Sequence, residues 1–295
     1  MVSNRKAVGN SRLKPTIVNL LFLLTATTLS GGAAAPGSPE TIDSAVHQLY
    51  DSRFEASRQT LSAYSSVNPS DPLAPTLQAA TFLFAELDRS GAMQRSFLTD
   101  DEKVADGKSP KPAPKTTADF NKSVKEARKL AAQALGANPK DRNALLSMCL
   151  VSGLQRDYLA LAEHKLRESY PYMRESQVYA SKLLAVDPSA HDAYFTKGFT
   201  EYLVANMPAV VRWLMHFDDM TGTKEQGLAD LSIAAESGQY MKPFAQLMLA
   251  MFYLREKQDD RTEALLAELT REYPENPIFR AELEKLKDRH HTPAS

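Results

Sequence analysis

Four prolines in register constrain the fold of this chain more than any other feature. Each of them follows an amphipathic stretch, and each has a small residue twelve positions before it. The prolines are Pro69, Pro139, Pro188 and Pro274, and the small residues are Ser57, Ala127, Ser176 and Thr262. A proline cannot continue a helix, whereas a small side chain lets two helix backbones approach closely. The register therefore predicts a repeated pair of helices whose second member ends before the proline.

The stretch 173–202 shows one such pair most clearly. Apolar residues recur at helical spacing up to Pro188, and a second amphipathic run begins at His191. Two helices joined by so short a turn lie antiparallel, and neither can bury its apolar stripe without further neighbours. We therefore predict an all-α protein, built as an array of antiparallel helix pairs.

The N-terminal 35 residues have the pattern of a secretory signal peptide. Four basic residues precede an apolar run at 16–29, and small residues follow at 30–35. Gly32 and Ala34 are the expected small pair at the cleavage site, because a cut after Ala35 would place Pro36 beside it. The apolar run is shorter than the roughly 20 residues that span a bilayer. We expect an exported protein of the bacterial periplasm or cell envelope. The alternative is membrane association through an uncleaved leader.

Charge and cysteine content narrow the class of protein. Removal of the leader takes four of the 35 basic residues, which leaves 31 against 36 acidic ones. A net charge of −5 argues against a nucleic-acid partner, because phosphate binding needs a basic excess. Cys149 is the only cysteine, so an intrachain disulfide is excluded. Its apolar helical surroundings predict a buried residue rather than a nucleophile.

The domain organisation follows from where the helical pattern stops. Residues 36–40 are expected to be a flexible lead-in and 41–288 the helical domain, followed by a disordered tail at 289–295. Between 88 and 118 the apolar periodicity disappears, and 104–117 is rich in proline and lysine. This composition predicts a mobile surface loop, with helix resuming near Phe120.

The repeating unit resembles the tetratricopeptide repeat (TPR), a pair of antiparallel helices of about 34 residues. Tyr194 and Gly198 match the aromatic and the small residue of that family's first helix, as do Ala250 and Tyr253 in a later unit. Some positions depart from the pattern: Ala45 and Gln48 stand where a glycine and an aromatic are expected, and Lys197 where a leucine is usual.

The spacing between the prolines also departs from a regular repeat. Pro69 to Pro139 spans 70 residues, which suggests two units, whereas the next two intervals are 49 and 86. We place helical insertions around 158–170 and at 207–223. These insertions predict a compact, closed array rather than an open superhelix.

The segment 198–254 is also similar to a larger TPR-like family that includes outer-mitochondrial-membrane inclusion-clearance proteins. The likeness lies in Trp213, Leu214, Gly222, Gly227 and the Leu- and Met-rich helix that follows. It supports the architecture, and no function is transferred from it.

No catalytic or cofactor motif occurs in the sequence. His164, His216 and the pair His290 and His291 lack the spacing of a zinc site, and no phosphate-binding glycine loop or nucleophile elbow is present. Acidic residues such as Glu175, Glu225 and Glu263 are interpreted as solvated. We therefore expect neither an enzyme nor a cofactor.

Binding in TPR arrays is usual on the inner face, which the first helix of each pair lines. The residues expected on that face are Phe195, Phe199, Tyr202, Leu247, Met251 and Leu254. Such a face suits an apolar peptide or an amphipathic helix. The competing interpretation is that the inserted helices fill the groove and make these residues core.

These observations predict a non-enzymatic interaction scaffold with a protein or peptide partner. The alternative is a helical accessory component of a periplasmic solute transporter, which would bind a small molecule in an enclosed cavity. A third interpretation, a metal-dependent hydrolase, requires His216 and at least two further ligands to converge.

Overall fold

A computed structural model describes residues 41–92, 110–206 and 222–291, and every structural statement below concerns these ranges. They contain eleven α-helices and no β-strand, which confirms the all-α class. The helices are α1 (Ile42–Tyr50), α2 (Phe54–Val67), α3 (Leu73–Arg89), α4 (Pro114–Ala137), α5 (Arg142–Asp157), α6 (Leu166–Val186), α7 (Asp192–Asn206), α8 (Lys224–Ser237), α9 (Lys242–Arg255), α10 (Asp259–Glu272) and α11 (Pro277–His291). The signal peptide and lead-in lie outside the described residues, as does 207–221, which contains Trp213 and His216.

The helices pack as five consecutive pairs, and α11 covers the last of them. Helices α2, α4, α6 and α10 each end two residues before one of the four prolines, as predicted. The odd-numbered helices also contact one another in series, from α1 through α3, α5 and α7 to α9. They form an inner layer, and the architecture is a TPR-like solenoid.

The small residues in register with the prolines lie where two helix backbones meet. Ser57 and Thr262 are fully buried. The Ser57 hydroxyl donates to the Ala45 carbonyl oxygen at 2.7 Å, and the Thr262 hydroxyl donates to the Ala250 carbonyl oxygen at 3.3 Å. In both pairs, therefore, the small residue is buried against the first helix of its own pair and hydrogen-bonds to it.

The pair α7 and α8 approaches closely through two glycines. A Cβ atom on Gly198 would lie 2.5 Å from the Gly227 carbonyl oxygen, and one on Gly227 would lie 2.6 Å from the Tyr202 nitrogen. Contacts of a Cβ atom shorter than 3.0 Å are essentially never observed in proteins, so any side chain at either position would clash with backbone. The two glycines therefore set the spacing of this pair.

The array closes on itself, as the insertions predicted. The turn at 273–276, which precedes α11, packs against the C-terminal end of α1. There the Asn276 side chain donates to the Tyr50 carbonyl oxygen at 2.7 Å, and the Glu275 backbone N–H donates to the buried Asp51 carboxylate at 2.9 Å. The Tyr50 hydroxyl donates to the Tyr240 carbonyl oxygen at 3.1 Å. We call these contacts the closure.

Two of the expected departures from the TPR pattern are explained by polar contacts. The Gln48 side-chain oxygen accepts a hydrogen bond from the Thr60 hydroxyl at 2.9 Å. The Lys197 ammonium lies 2.6 Å from the carboxylate of Asp230, which is 2% exposed. A buried carboxylate needs a partner, so a lysine replaces the usual leucine.

Several boundaries differ from those the sequence predicted. The described part of 69–139 holds one helix pair, α3 and α4, and not two units. Helix α4 begins at Pro114, within the predicted loop 88–118 and six residues before Phe120. Proline is well accommodated in the first turn of a helix, and Lys115 adds an ion pair with Asp119 four residues on. Helix α11 continues to His291, into the predicted tail.

The insertion around 158–170 is helical, as expected, and begins with a π-helical turn at Tyr158–Ala162. The Tyr158 ring stacks on Phe120 with a centroid separation of 4.0 Å, and its hydroxyl lies 2.9 Å from that of Thr117. This insertion therefore meets α4 through Tyr158, and its π-helical turn also packs against α3 and α5 of the inner layer.

Candidate functional site

The residues expected to bind a partner are mostly core residues. Five of the six have side chains no more than 7% exposed, and only Phe199 is partly exposed. Those five are Phe195, Tyr202, Leu247, Met251 and Leu254. A partner could reach them only if neighbouring helices moved. Partner binding through these residues stays a prediction, whereas their packing in the core is observed.

Aromatic side chains connect the inner helices to one another. The Phe244 ring of α9 lies 5.1 Å from the rings of both Phe84 and Phe195, which belong to α3 and α7. Tyr50 of α1 meets Phe84 edge-on at 5.9 Å. The rings of Tyr202 in α7 and Phe252 in α9 also stack, with a centroid separation of 3.8 Å. The interior expected to form a groove is therefore closed by aromatic packing between helices of the inner layer.

A small cavity remains at the centre of this layer. Its volume is about 40 Å³, and residues of α1, α3, α5, α7 and α9 and of the turn before α9 line it. We call it the inner cavity. Its walls are largely apolar, with Arg156, Asp157 and two threonines as the polar exceptions. A volume of 10–15 Å³ is the minimum for one water molecule, so the cavity has room for a few atoms.

Arg156 is the basic residue at the inner cavity, and its side chain is only 7% exposed. Its Nε and Nη2 atoms donate to the two carboxylate oxygens of Asp157, each at 2.8 Å. The guanidinium carbon lies 4.6 Å from the centre of the Phe199 ring. Asp157 therefore neutralises the buried charge of Arg156, and stacking on the Phe199 ring orients the plane of the guanidinium.

The sequence analysis missed Arg156, although a signal was available. Helix α5 buries Leu145, Cys149 and Ser152, and Arg156 follows on the same face by helical spacing. An arginine on the buried stripe of a helix needs a counter-ion, and Asp157 supplies it. The periodicity that predicted a core position for Cys149 also identifies Arg156 as a buried charge.

Cys149 is buried beside the inner layer, as predicted. Burial raises the pKa of its thiol to about 12, and the sulfur lies 3.2 Å from the Thr196 hydroxyl. A thiol with this pKa carries almost no thiolate at neutral pH, and the thiolate is the reactive form. The residue is therefore inert in the folded protein.

Glu175 corrects the interpretation of the acidic residues as solvated. The two oxygens of its carboxylate accept from Nη1 and Nη2 of Arg128 at 2.8 and 2.5 Å, and the Ser152 hydroxyl donates to it at 2.9 Å. Hydrogen bonding from Arg128 lowers the pKa of Glu175. The cluster connects α4, α5 and α6, which is a structural role.

Asp192 joins two pairs of helices. Its side-chain oxygen accepts from the backbone N–H groups of Tyr240 and Met241, at 2.9 and 2.8 Å, at the start of α9. Burial raises the pKa of this carboxyl in spite of those hydrogen bonds. The residue thereby fixes the start of α9 relative to α7.

Within the three described ranges, no group of three or more His, Cys, Asp or Glu residues is placed to hold a metal ion. No helix in these ranges has the length and apolar character needed to cross a membrane. His216, on which the hydrolase interpretation depends, lies outside them. Comparison of the sequence with protein-family models and with curated proteins gives no match.

Proposed function

We propose that this protein is an exported, non-enzymatic scaffold of the cell envelope and a divergent member of the TPR superfamily. The observation that carries the proposal is the inner layer of odd-numbered helices, which is rich in aromatic, leucine and methionine side chains. Surfaces of this composition bind apolar peptide segments and amphipathic helices in helical-repeat proteins. Export is supported by the leader pattern alone.

The partner in this proposal is a peptide or helix that binds after the closure opens. The closure combines the polar contacts of Asn276, Asp51 and Tyr50 with the packing of the Tyr273 ring on His47 and Tyr50. Opening of one such junction exposes less surface than global unfolding and therefore costs less free energy. Release of α1 from the turn at 273–276 would uncover one end of the inner layer.

The test compares proteins captured from the native envelope by three forms of the mature chain. Asn276→Ala weakens the closure and is expected to increase capture of a specific partner. The same variant carrying Phe195→Ser and Tyr202→Ser is expected to lose that partner, because the inner layer no longer presents an apolar surface. Equal capture by all three forms would reject binding through the inner layer.

A second candidate function is favoured by the inner cavity. An accessory component of a solute transporter would hold a small molecule inside the array, and the cavity combines apolar walls with a few polar groups, as ligand sites do. Its volume of about 40 Å³ restricts the ligand to a very small molecule.

A further inference from the structure

We propose that the groove between α8 and α10 binds an extended peptide segment of about five residues, one of whose backbone amides pairs with the side-chain amide of Gln246. We call this groove, whose floor is α9, the outer groove. The inference goes beyond the proposed function, because the outer groove is a second binding surface that does not require the closure to open.

One stripe of α9 forms the floor of the outer groove. The stripe consists of Lys242, Gln246, Leu249 and Tyr253, which recur at helical spacing. By the same spacing, Met251 of the inner layer lies on the opposite side of α9. Helices α8 and α10 both pack on α9 and supply the two walls, and the volume of the groove is about 470 Å³. The stripe covers about 16 Å along the helix axis, a length that an extended chain spans in about five residues.

The side-chain amide of Gln246 is the polar group in the middle of this floor. The residue is only 3% exposed, and its Oε1 atom is buried without a hydrogen-bond partner among the described residues. A buried amide oxygen without a partner costs free energy. A peptide unit and a glutamine side chain each carry N–H donors and a C=O acceptor, so the two can form a pair of parallel hydrogen bonds. Rotation of the Gln246 side chain toward a bound peptide would therefore pair an oxygen that the fold leaves unpaired.

Charged residues line the two ends of the outer groove. Glu236 at the end of α8 and Glu268 of α10 lie at the end where α9 begins, and there the Lys242 ammonium lies 3.8 Å from the Glu268 carboxylate. Lys242 offsets one of these two carboxylates, so this end suits a basic side chain of the peptide. Arg261 lines the opposite end, where its guanidinium carbon lies 5.1 Å from the centre of the Tyr253 ring. That end suits an acidic side chain, and such complementarity gives specificity.

Apolar side chains line the groove between its charged ends. They include Ala235 of α8, Leu249 of α9 and Leu265 of α10. Every second side chain of an extended peptide faces the same side. A peptide with a basic first residue, an apolar third residue and an acidic fifth residue would therefore present all three to the groove.

The experiment is an NMR titration of the mature protein with two blocked pentapeptides, acetyl-Lys-Thr-Val-Thr-Glu-amide and its reverse sequence. The two peptides place the same charges for the two chain directions. At least one of them is expected to bind saturably, with a dissociation constant on the order of 0.1–1 mM. A peptide with alanine in place of lysine and glutamate is expected to bind at least about threefold more weakly. No saturable binding of either charged peptide would overturn the proposal.

An ester analogue of the peptide that binds tests the pairing with Gln246. An ester in place of the central amide removes the N–H of the valine and keeps the length of the chain. The analogue is expected to bind at least about threefold more weakly, because the glutamine oxygen loses its donor. Equal binding of the amide and the ester would overturn the pairing with Gln246.

Two pairs of variants assign binding to the outer groove. Gln246→Met is expected to fold, because methionine has a similar shape and removes an unpaired polar group, and to bind the peptide at least about threefold more weakly. Its control is Gln133→Met, at an exposed position of α4. Ala264→Phe fills the groove from an exposed position of α10, and Ala267→Phe is the matched exposed control on the same helix, outside the groove. Affinity equal to that of the wild type in both Gln246→Met and Ala264→Phe would overturn the proposal.

Two further measurements separate this proposal from binding elsewhere. Asn276→Ala, which weakens the closure, is expected to leave peptide binding unchanged, because Asn276 does not line the outer groove. Peptide binding by Asn276→Ala and not by the wild type would place the peptide on the inner layer and overturn the proposal. Light scattering is expected to show the same mass for wild type and Gln246→Met. A dimer that dissociates in Gln246→Met would mean that a second copy occupies the groove, and it would also overturn the proposal.

Discussion

Asn276 and Tyr50 stand 226 positions apart in the chain, and the Asn276 side-chain amide donates a hydrogen bond of 2.7 Å to the Tyr50 carbonyl oxygen. The oxygen of the same side chain accepts from the backbone N–H of Ile278 at 3.0 Å and so caps α11. Asn276 therefore both takes part in the closure and caps α11.

Asn276→Ala should lower the free energy of unfolding by about 2 kcal/mol, because it leaves a buried carbonyl unpaired and removes a helix cap. Urea denaturation followed by circular dichroism measures the change. Asn138→Ala is the matched control, since Asn138 is exposed and hydrogen-bonds only to its own turn and helix end. A loss of equal size in the two variants would contradict the role of Asn276.

Gly198→Ala should destabilise the protein by about 2 kcal/mol or more, because its Cβ would overlap the backbone of α8. Gly136→Ala, in the exposed last turn of α4, should instead stabilise it slightly, as alanine is the better helix former. Thermal unfolding of both variants gives the comparison. A neutral Gly198→Ala would mean that α7 and α8 do not pack at this distance.

The register of small residues and prolines predicted the helix pairs and their ends because both residue types act locally. A proline ends the helix before it, and a small residue lets the two helices of its own pair approach closely. Ser57 and Pro69, for example, each act within one pair. The partners of buried charges could not be predicted in the same way. Arg128 meets Glu175 across 47 positions and Lys197 meets Asp230 across 33, and no local pattern specifies such pairs. The burial of Phe195 and Tyr202 likewise depends on Phe244 and Phe252 of α9, about 50 positions further along the chain.

The ion pair of Arg128 and Glu175 should make stability depend on pH in the acidic range. The pKa of Glu175 is lowered in the folded protein, so the pair stabilises the fold above the pKa of the unfolded chain, about 4.3. That contribution, about 1 kcal/mol, is lost as the pH falls through the lower folded value. Denaturation of Glu175→Gln and wild type from pH 7 to pH 3 should show the two curves converging in acid. Parallel curves would refute the assignment.

The contribution of Asp192 to stability should change with pH in the direction opposite to that of Glu175. Its raised pKa means that folding favours the protonated carboxyl, so its contribution to stability declines as the pH rises through the folded value. Asp192→Asn retains the oxygen that accepts from Tyr240 and Met241 and removes the buried charge. Asp192→Asn should therefore gain stability relative to wild type as the pH rises from 4 to 7. Asp192→Ala should instead lose about 2 kcal/mol at any pH, because the N–H groups of Tyr240 and Met241 are left unpaired. Chemical denaturation at several pH values checks both. A pH-independent difference for Asp192→Asn would contradict the burial of the charge.

Cys149 should not react with a maleimide in the folded protein, because its thiol is buried and its pKa is raised to about 12. Mass spectrometry before and after addition of urea measures the modification. Complete modification under native conditions would contradict the packing of α5 against α7.

The closure is tested most directly by a cross-link between its two sides. Asp43 and Gln239 are exposed residues whose side chains lie 3.3 Å apart, on α1 and on the turn before α9. In the double variant Asp43→Cys and Gln239→Cys, a short bismaleimide should join the two cysteines rapidly within one molecule under native conditions and slowly in urea, while buried Cys149 stays unmodified. Equally slow cross-linking in both conditions would show that the first and last helix pairs do not meet, and it would contradict the closed array.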